Sequence, residues 1–220
     1  MASNTRVNII KQNSKMKQFI GWGIAIIFPL AAKGIMEFGR FSFLAVLVYW
    51  FFCGILMREI IGSRVPFLNI NVAVVKKELF ITLLFTAAGI VMYLIYFSGR
   101  NDNAVEMILG TLIFVIINGI IEPLVWANIF DLAGCRIKVS GYIAVAVSIL
   151  MMYTLFWNGY CNFFPMNNPG IIILQIIIMG LPVLIYEKSG DITIWSLQHI
   201  VCSLIMLYAS GFDILKLLNI

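Results

Sequence analysis

Met107-Ile-Leu-Gly-Thr-Leu-Ile-Phe-Val-Ile-Ile-Asn-Gly-Ile-Ile-Glu122-Pro-Leu-Val-Trp126 is a run of 20 residues with one ionisable side chain. A helix of about that length crosses the hydrocarbon core of a bilayer. A carboxylate near the centre of such a run costs about 2.5–3.5 kcal/mol on insertion scales, so Glu122 needs partners or a task. A second apolar run, Trp195-Ser-Leu-Gln-His-Ile-Val-Cys-Ser203, carries the only histidine of the chain, His199.

The rest of the chain reads the same way. Of its 220 residues 62% are hydrophobic and 11% charged, and mean hydropathy is +1.00. A soluble domain carries about 25% charged residues, so the composition excludes one. Seven apolar segments are long enough to span, at about 18–36, 41–60, 79–97, 105–127, 139–160, 170–187 and 192–212. In lipid every backbone polar group must be paired within its own segment, so these are helices. The expected fold is an all-α transmembrane bundle of about seven spans. It has six if the short first segment only lies on the surface.

Residues 1–17 form a basic N-terminal segment, and 18–220 a single transmembrane domain. Between spans the chain is brief and polar: Gly62-Ser-Arg-Val-Pro66 followed by an amphipathic Val74-Val-Lys-Lys-Glu78, then Ser98–Asp102, Cys161–Pro169 and Glu187–Asp191. Positive charge orients such a set. With the N-terminus inside, Arg6, Lys11, Lys15, Lys17, Arg58, Arg64, Lys76, Lys77, Arg136, Lys138 and Lys188 fall on the cytoplasmic side. Only Lys33, Arg40, Arg100 and Lys216 fall outside. Eleven against four predicts a cytoplasmic N-terminus in a cell membrane.

The net charge of +5 follows the membrane faces and forms no nucleic-acid patch. Lipids are the expected surroundings. Cys53, Cys135, Cys161 and Cys202 make no C-x-x-C pair and read as small hydrophobes. One His, one intramembrane Glu and no suitably spaced Cys predict no metal site. No Gly-rich phosphate loop is present, and no cofactor is expected. Pro29, Pro123 and Pro182 interrupt spans, but not at the matching positions of an inverted repeat.

Side chains four apart share a helix face, which puts Asn118, Glu122 and Trp126 on one side of the fourth span. Ser196, His199 and Ser203 form a polar stripe on the seventh. Counted at about 1.5 Å per residue, Glu122 and His199 lie at similar depth, so the two can meet. Such a pair is able to activate a water on an amide carbonyl. Two plainer readings stand beside that one. A Glu before Pro can reach interfacial water at a helix break, and a lone intramembrane His is commonly an interhelical hydrogen-bonder.

Glu122-Pro-Leu-Val-Trp-Ala-Asn128 resembles the first motif, E-E-x-x-x-R and often E-E-x-x-W-R-G, of the CAAX-protease and bacteriocin-processing (CPBP) intramembrane endopeptidases. Pro123, Ala127 and Asn128 depart from it. The second motif, F-x-x-x-H, is similar to Phe156-Trp-Asn-Gly-Tyr160, with Tyr160 in place of His. The third, H-x-x-x-N, is similar to His199-Ile-Val-Cys-Ser203, with Ser203 in place of Asn. The run Gly180–His199 is also similar to the family's approach to its last motif, and the likeness covers about residues 80–212. The resemblance implies Glu122 as general base and His199 as an oxyanion or water-positioning group. Ser203, Asn118, Trp126, Phe156 and Tyr160 would then support or line the pocket. It further implies a membrane-associated peptide or protein as substrate and a bacterial plasma membrane as location. Losing an oxyanion-hole donor typically costs about 10²–10³ in rate, so activity should be weak or lost. A non-catalytic binding or immunity protein and a proton-linked transporter using Glu122 are the alternatives.

Overall fold

The computed structural model describes residues 2–38, 42–61, 67–97, 104–160, 168–210 and 213–218. The side chains of 2–13, 38 and 210 are outside the description, as are Arg40, Arg64, Arg100, Cys161 and the predicted connections at 62–66 and 98–102. All the regular structure described is helical. We number the helices α1 (Ala2–Phe38), α2 (Ser42–Ile61), α3 (Val72–Tyr96), α4 (Ala104–Ala133), α5 (Lys138–Leu155), α6 (Pro169–Ser189), α7 (Thr193–Ser210) and α8 (Ile214–Leu218). Six of them are long and apolar enough to cross a membrane, and the seventh apolar helix, Thr193–Ala209, is shorter. The short member is thus α7 and not the first span, which runs from Ser14 to Glu37. The chain is a multi-pass membrane protein.

Local chemistry sets the helix ends. Asn71 caps α3 by accepting the Ala73 N–H (3.1 Å), and Asn168 caps α6 by accepting that of Ile171 (3.3 Å), with Pro169 in the first position. Gly190 closes α6 at φ 69°, a left-handed conformation that a Cβ disfavours. Two helices outrun their predicted limits because long-range ion pairs carry their charges. Expected from 79, α3 begins at Val72, and its Glu78 pairs with Lys188 (2.6 Å). Expected to stop at 127, α4 continues to Ala133, and its Asp131 pairs with Arg58 of α2 (2.8 Å). The predicted basic segment 1–17 begins the same helix that forms the first span.

Helix α4 is central, packed by α1, α2, α5 and α7, while α3 lies against α6 and α7. Wide π-type turns occupy Tyr49–Leu56 of α2 and Thr111–Asn118 of α4. Such turns are frequent at functional sites because they shift carbonyls out of the regular ladder. Asn128 of α4 donates its amide to two of these, Cys53 O and Gly54 O, at 2.7 Å each. Pro182 breaks α6 in a similar way, since it has no N–H for the carbonyl four residues back. That carbonyl, Ile178 O, accepts from Gln198 (3.0 Å), and the next, Met179 O, accepts from the Trp195 indole (2.8 Å). The break in α6 therefore fixes the first two turns of α7, and with them His199.

A candidate intramembrane glutamate–histidine centre

Glu122 and His199 meet between α4 and α7, with Oε2 to Nε2 at 3.1 Å, and neither side chain is exposed at all. Gly119 makes the approach possible. A Cβ there would stand 2.5 Å from Ile200 Cγ1 and 3.3 Å from Ile200 Cα, so only a residue without a side chain lets the helices come this close.

Every other contact to the Glu122 carboxyl comes from a donor. Asn118 gives its amide N–H to Oε2 (2.8 Å), Tyr153 its hydroxyl to Oε2 (3.0 Å) and Trp157 its indole N–H to Oε1 (3.3 Å). Asn118 is held in turn by the Trp50 indole, which donates to Oδ1 (2.8 Å) and leaves only the amide side for Glu122. The Tyr153 hydroxyl also lies 3.4 Å from His199 Nε2, so it touches both members of the pair. An ionised Glu122 accepts from all four, and His199 then donates to it from Nε2. Trp126 closes the site by setting its ring edge-on to the imidazole, centroids 5.0 Å apart.

The aromatic contribution of α5 differs from the motif alignment. Phe156 and Tyr160 pack on each other (5.4 Å), and no described contact joins either to Glu122 or His199. Tyr160 is instead tied to the opposite end of the bundle, where its carbonyl accepts the Asp213 N–H (2.8 Å) and Lys216 sits over its ring. Trp157 takes the place at Glu122, because α5 ends at Leu155 and a tight 3₁₀ turn over Trp157–Gly159 rotates its indole inward. The spacing that reaches Glu122 is thus Tyr153-x-x-x-Trp157, three residues earlier than the pair the sequence suggested. Two residues four apart, each with one polar hydrogen in an otherwise apolar helix, were the available signal.

Of the remaining predicted residues, Asn118 and Trp126 reach the pair. Ser203 lies one turn beyond His199, fully buried, and among the described residues its Oγ has no hydrogen-bond partner. The same holds for Ser196 Oγ and His199 Nδ1, so the predicted polar stripe of α7 is buried but not internally bonded. Nowhere among the described residues do three His, Cys, Asp or Glu side chains converge as metal ligands.

A wholly buried, donor-rich carboxylate beside an imidazole can orient the ring, hold α4, α5 and α7 together, and retain a proton between two bases. Oε2 is filled by three donors, so a water could give its proton only to Oε1, beside the Trp157 indole and with no exposed surface. No family model matches the chain, and no curated protein and no solved structure matches it either.

Proposed function

We propose that this membrane protein is a divergent, non-cleaving relative of the CPBP-type intramembrane endopeptidases, one that recognises a membrane-associated peptide or protein. The observation that carries the reading is the enclosure of Glu122: three donors crowd Oε2, a fourth reaches Oε1, and neither it nor His199 has any exposed surface. A general base needs a water within about 3 Å and a lone pair to take its proton. In this centre Oε2 is fully engaged by Asn118, Tyr153 and His199, and Oε1, which accepts from Trp157, has no exposed surface. Where the family motif supplies a second imidazole, this chain has the indole of Trp157, which only donates. Order and spacing of the Glu122, α5 and His199 segments support descent from the hydrolytic arrangement, and the buried, donor-rich carboxylate supports its conversion into a fixed polar core. The charge asymmetry supports a cell membrane with the N-terminus in the cytoplasm.

Peptide-library cleavage by the detergent-purified protein tests this reading. We expect product from wild type at the same background level as from Glu122→Gln and His199→Ala, with peptide still retained by wild type. Product made by wild type and lost in both variants would establish an endopeptidase and overturn the proposal.

A further inference from the structure

On the membrane face that carries Arg58, Lys138 and Lys188, the ends of α4, α5 and α6 enclose a cavity of about 370 Å³. Its walls include Phe130, Asp131, Cys135, Lys138, Tyr186 and Glu187. That volume lies in the range of small-ligand sites, about 300–1,000 Å³. It is far from Glu122 and has no part in the pairing described above.

The polar groups of the cavity are only partly used. Asp131 Oδ2 accepts from Arg58 (2.8 Å) and from the Tyr186 hydroxyl (2.6 Å). No described donor reaches its Oδ1, although the side chain remains 30% exposed. Glu187 is held by Lys138 and by the Tyr142 hydroxyl. The rings of Phe130 and Tyr186 stand roughly perpendicular, 6.1 Å apart. A free carboxylate oxygen in a cavity also lined by two aromatic rings suits a cation that can also donate an N–H. Lys138, exposed and shared with Glu187, lines the same cavity and supplies a cation for an anion.

One small group carries both features: an ammonium joined through a short link to a phosphate. Helix ends of a spanning bundle lie at headgroup depth, where phospholipids are the abundant bearers of that group. We propose that this cavity binds the headgroup of a zwitterionic phospholipid with a primary amine. The ammonium sits on Asp131 Oδ1 beside the Phe130 and Tyr186 rings, and the phosphate lies over Lys138. A quaternary amine would satisfy the rings but has no N–H for Asp131. A purely anionic headgroup would satisfy Lys138 and leave Asp131 empty.

Cys135 reports on the site, since it lines the cavity and is exposed, whereas Cys53 and Cys202 are buried. The experiment is maleimide labelling of Cys135 in phospholipid-free micelles, in a Cys161→Ser background. Ethanolamine phospholipid, choline phospholipid, anionic glycerol phospholipid and soluble glycerophosphoethanolamine are added in separate arms. Ethanolamine lipid should slow labelling about tenfold once it exceeds its dissociation constant by that factor. Choline and anionic lipids should have little effect, and the soluble compound should act only at much higher concentration. Asp131→Asn should abolish protection. If that variant misfolds through loss of the Arg58 pair, Lys138→Gln alters a side chain that is 68% exposed and should weaken protection in a folded protein. Equal protection by all lipids, protection by the anionic lipid alone, or none, would overturn the proposal. So would equal potency of the soluble compound, which would assign the cavity to a soluble ligand.

Discussion

Replacing Glu122 by alanine is expected to cost about 3–5 kcal/mol, the loss seen when one member of a buried pair is removed and the other is stranded. The arithmetic is local. His199 Nε2, the Asn118 amide, the Tyr153 hydroxyl and the Trp157 indole all lose their acceptor at once, in a site that is wholly buried. Each unsatisfied buried group costs about 1–3 kcal/mol, and relaxation of the cavity recovers part of the sum. For a chain of this size 1 kcal/mol is worth about 2–4 °C, so the thermal midpoint in micelles should fall by about 6–20 °C. Glu122→Gln keeps one acceptor oxygen but turns an NH₂ toward donors, and should cost less, about 1–3 kcal/mol. If the alanine variant melts within about 2 °C of wild type, the carboxylate is not the hub described here.

Gly119→Val is expected to have the next largest effect. Its Cβ alone would fall 2.5 Å from Ile200 Cγ1 and 3.3 Å from Ile200 Cα, and valine adds two methyls at the same point. The nearest atom, Cγ1, sits next to the branched Cβ of a side chain stiff at χ1, and the Cα behind it moves only with α7. Over-packing of this kind costs about 1–3 kcal/mol, and here it also pries apart the helices that hold the 3.1 Å Glu–His contact. Gly119→Ala should be milder, because it adds the Cβ alone. Ile200→Ala provides a specific control. Combined with Gly119→Ala it should be more stable than the two single losses predict, and simple additivity in unfolding measurements would place the close contact elsewhere.

Much of the architecture was legible because lipid imposes one rule throughout: backbone groups must pair within the segment, so apolar length alone finds the helices. What length cannot find is where a helix ends when its charges are paired across the fold. Arg58 with Asp131 and Lys188 with Glu78 join residues 73 and 110 positions apart, and these pairs let α4 and α3 continue through residues that read as loop. In the site, Glu122 and His199 stood out as isolated ionisable groups, and Asn118 followed from the four-residue spacing. Tyr153 and Trp157 did not. The step that brings Trp157 inward is the change from α-helix to 3₁₀ turn after Leu155, and a three-residue shift of register looks alike in a run of aromatic residues. Trp50 was equally hidden, since its link to Asn118 joins α2 to α4 at a sequence distance of 68. The support of α7 by Trp195 and Gln198 follows from carbonyls freed at Pro182, which the sequence marks as a break without naming the donors that repair it.

The most direct test of the paired glutamate and histidine is a double-mutant cycle on Glu122→Gln and His199→Ala, read as unfolding free energy in detergent micelles. Direct contact at 3.1 Å predicts a coupling of about 1–3 kcal/mol, with the double variant clearly more stable than the summed single losses. Losses that add within about 0.5 kcal/mol would mean that the two residues do not touch, and would contradict the account of this centre.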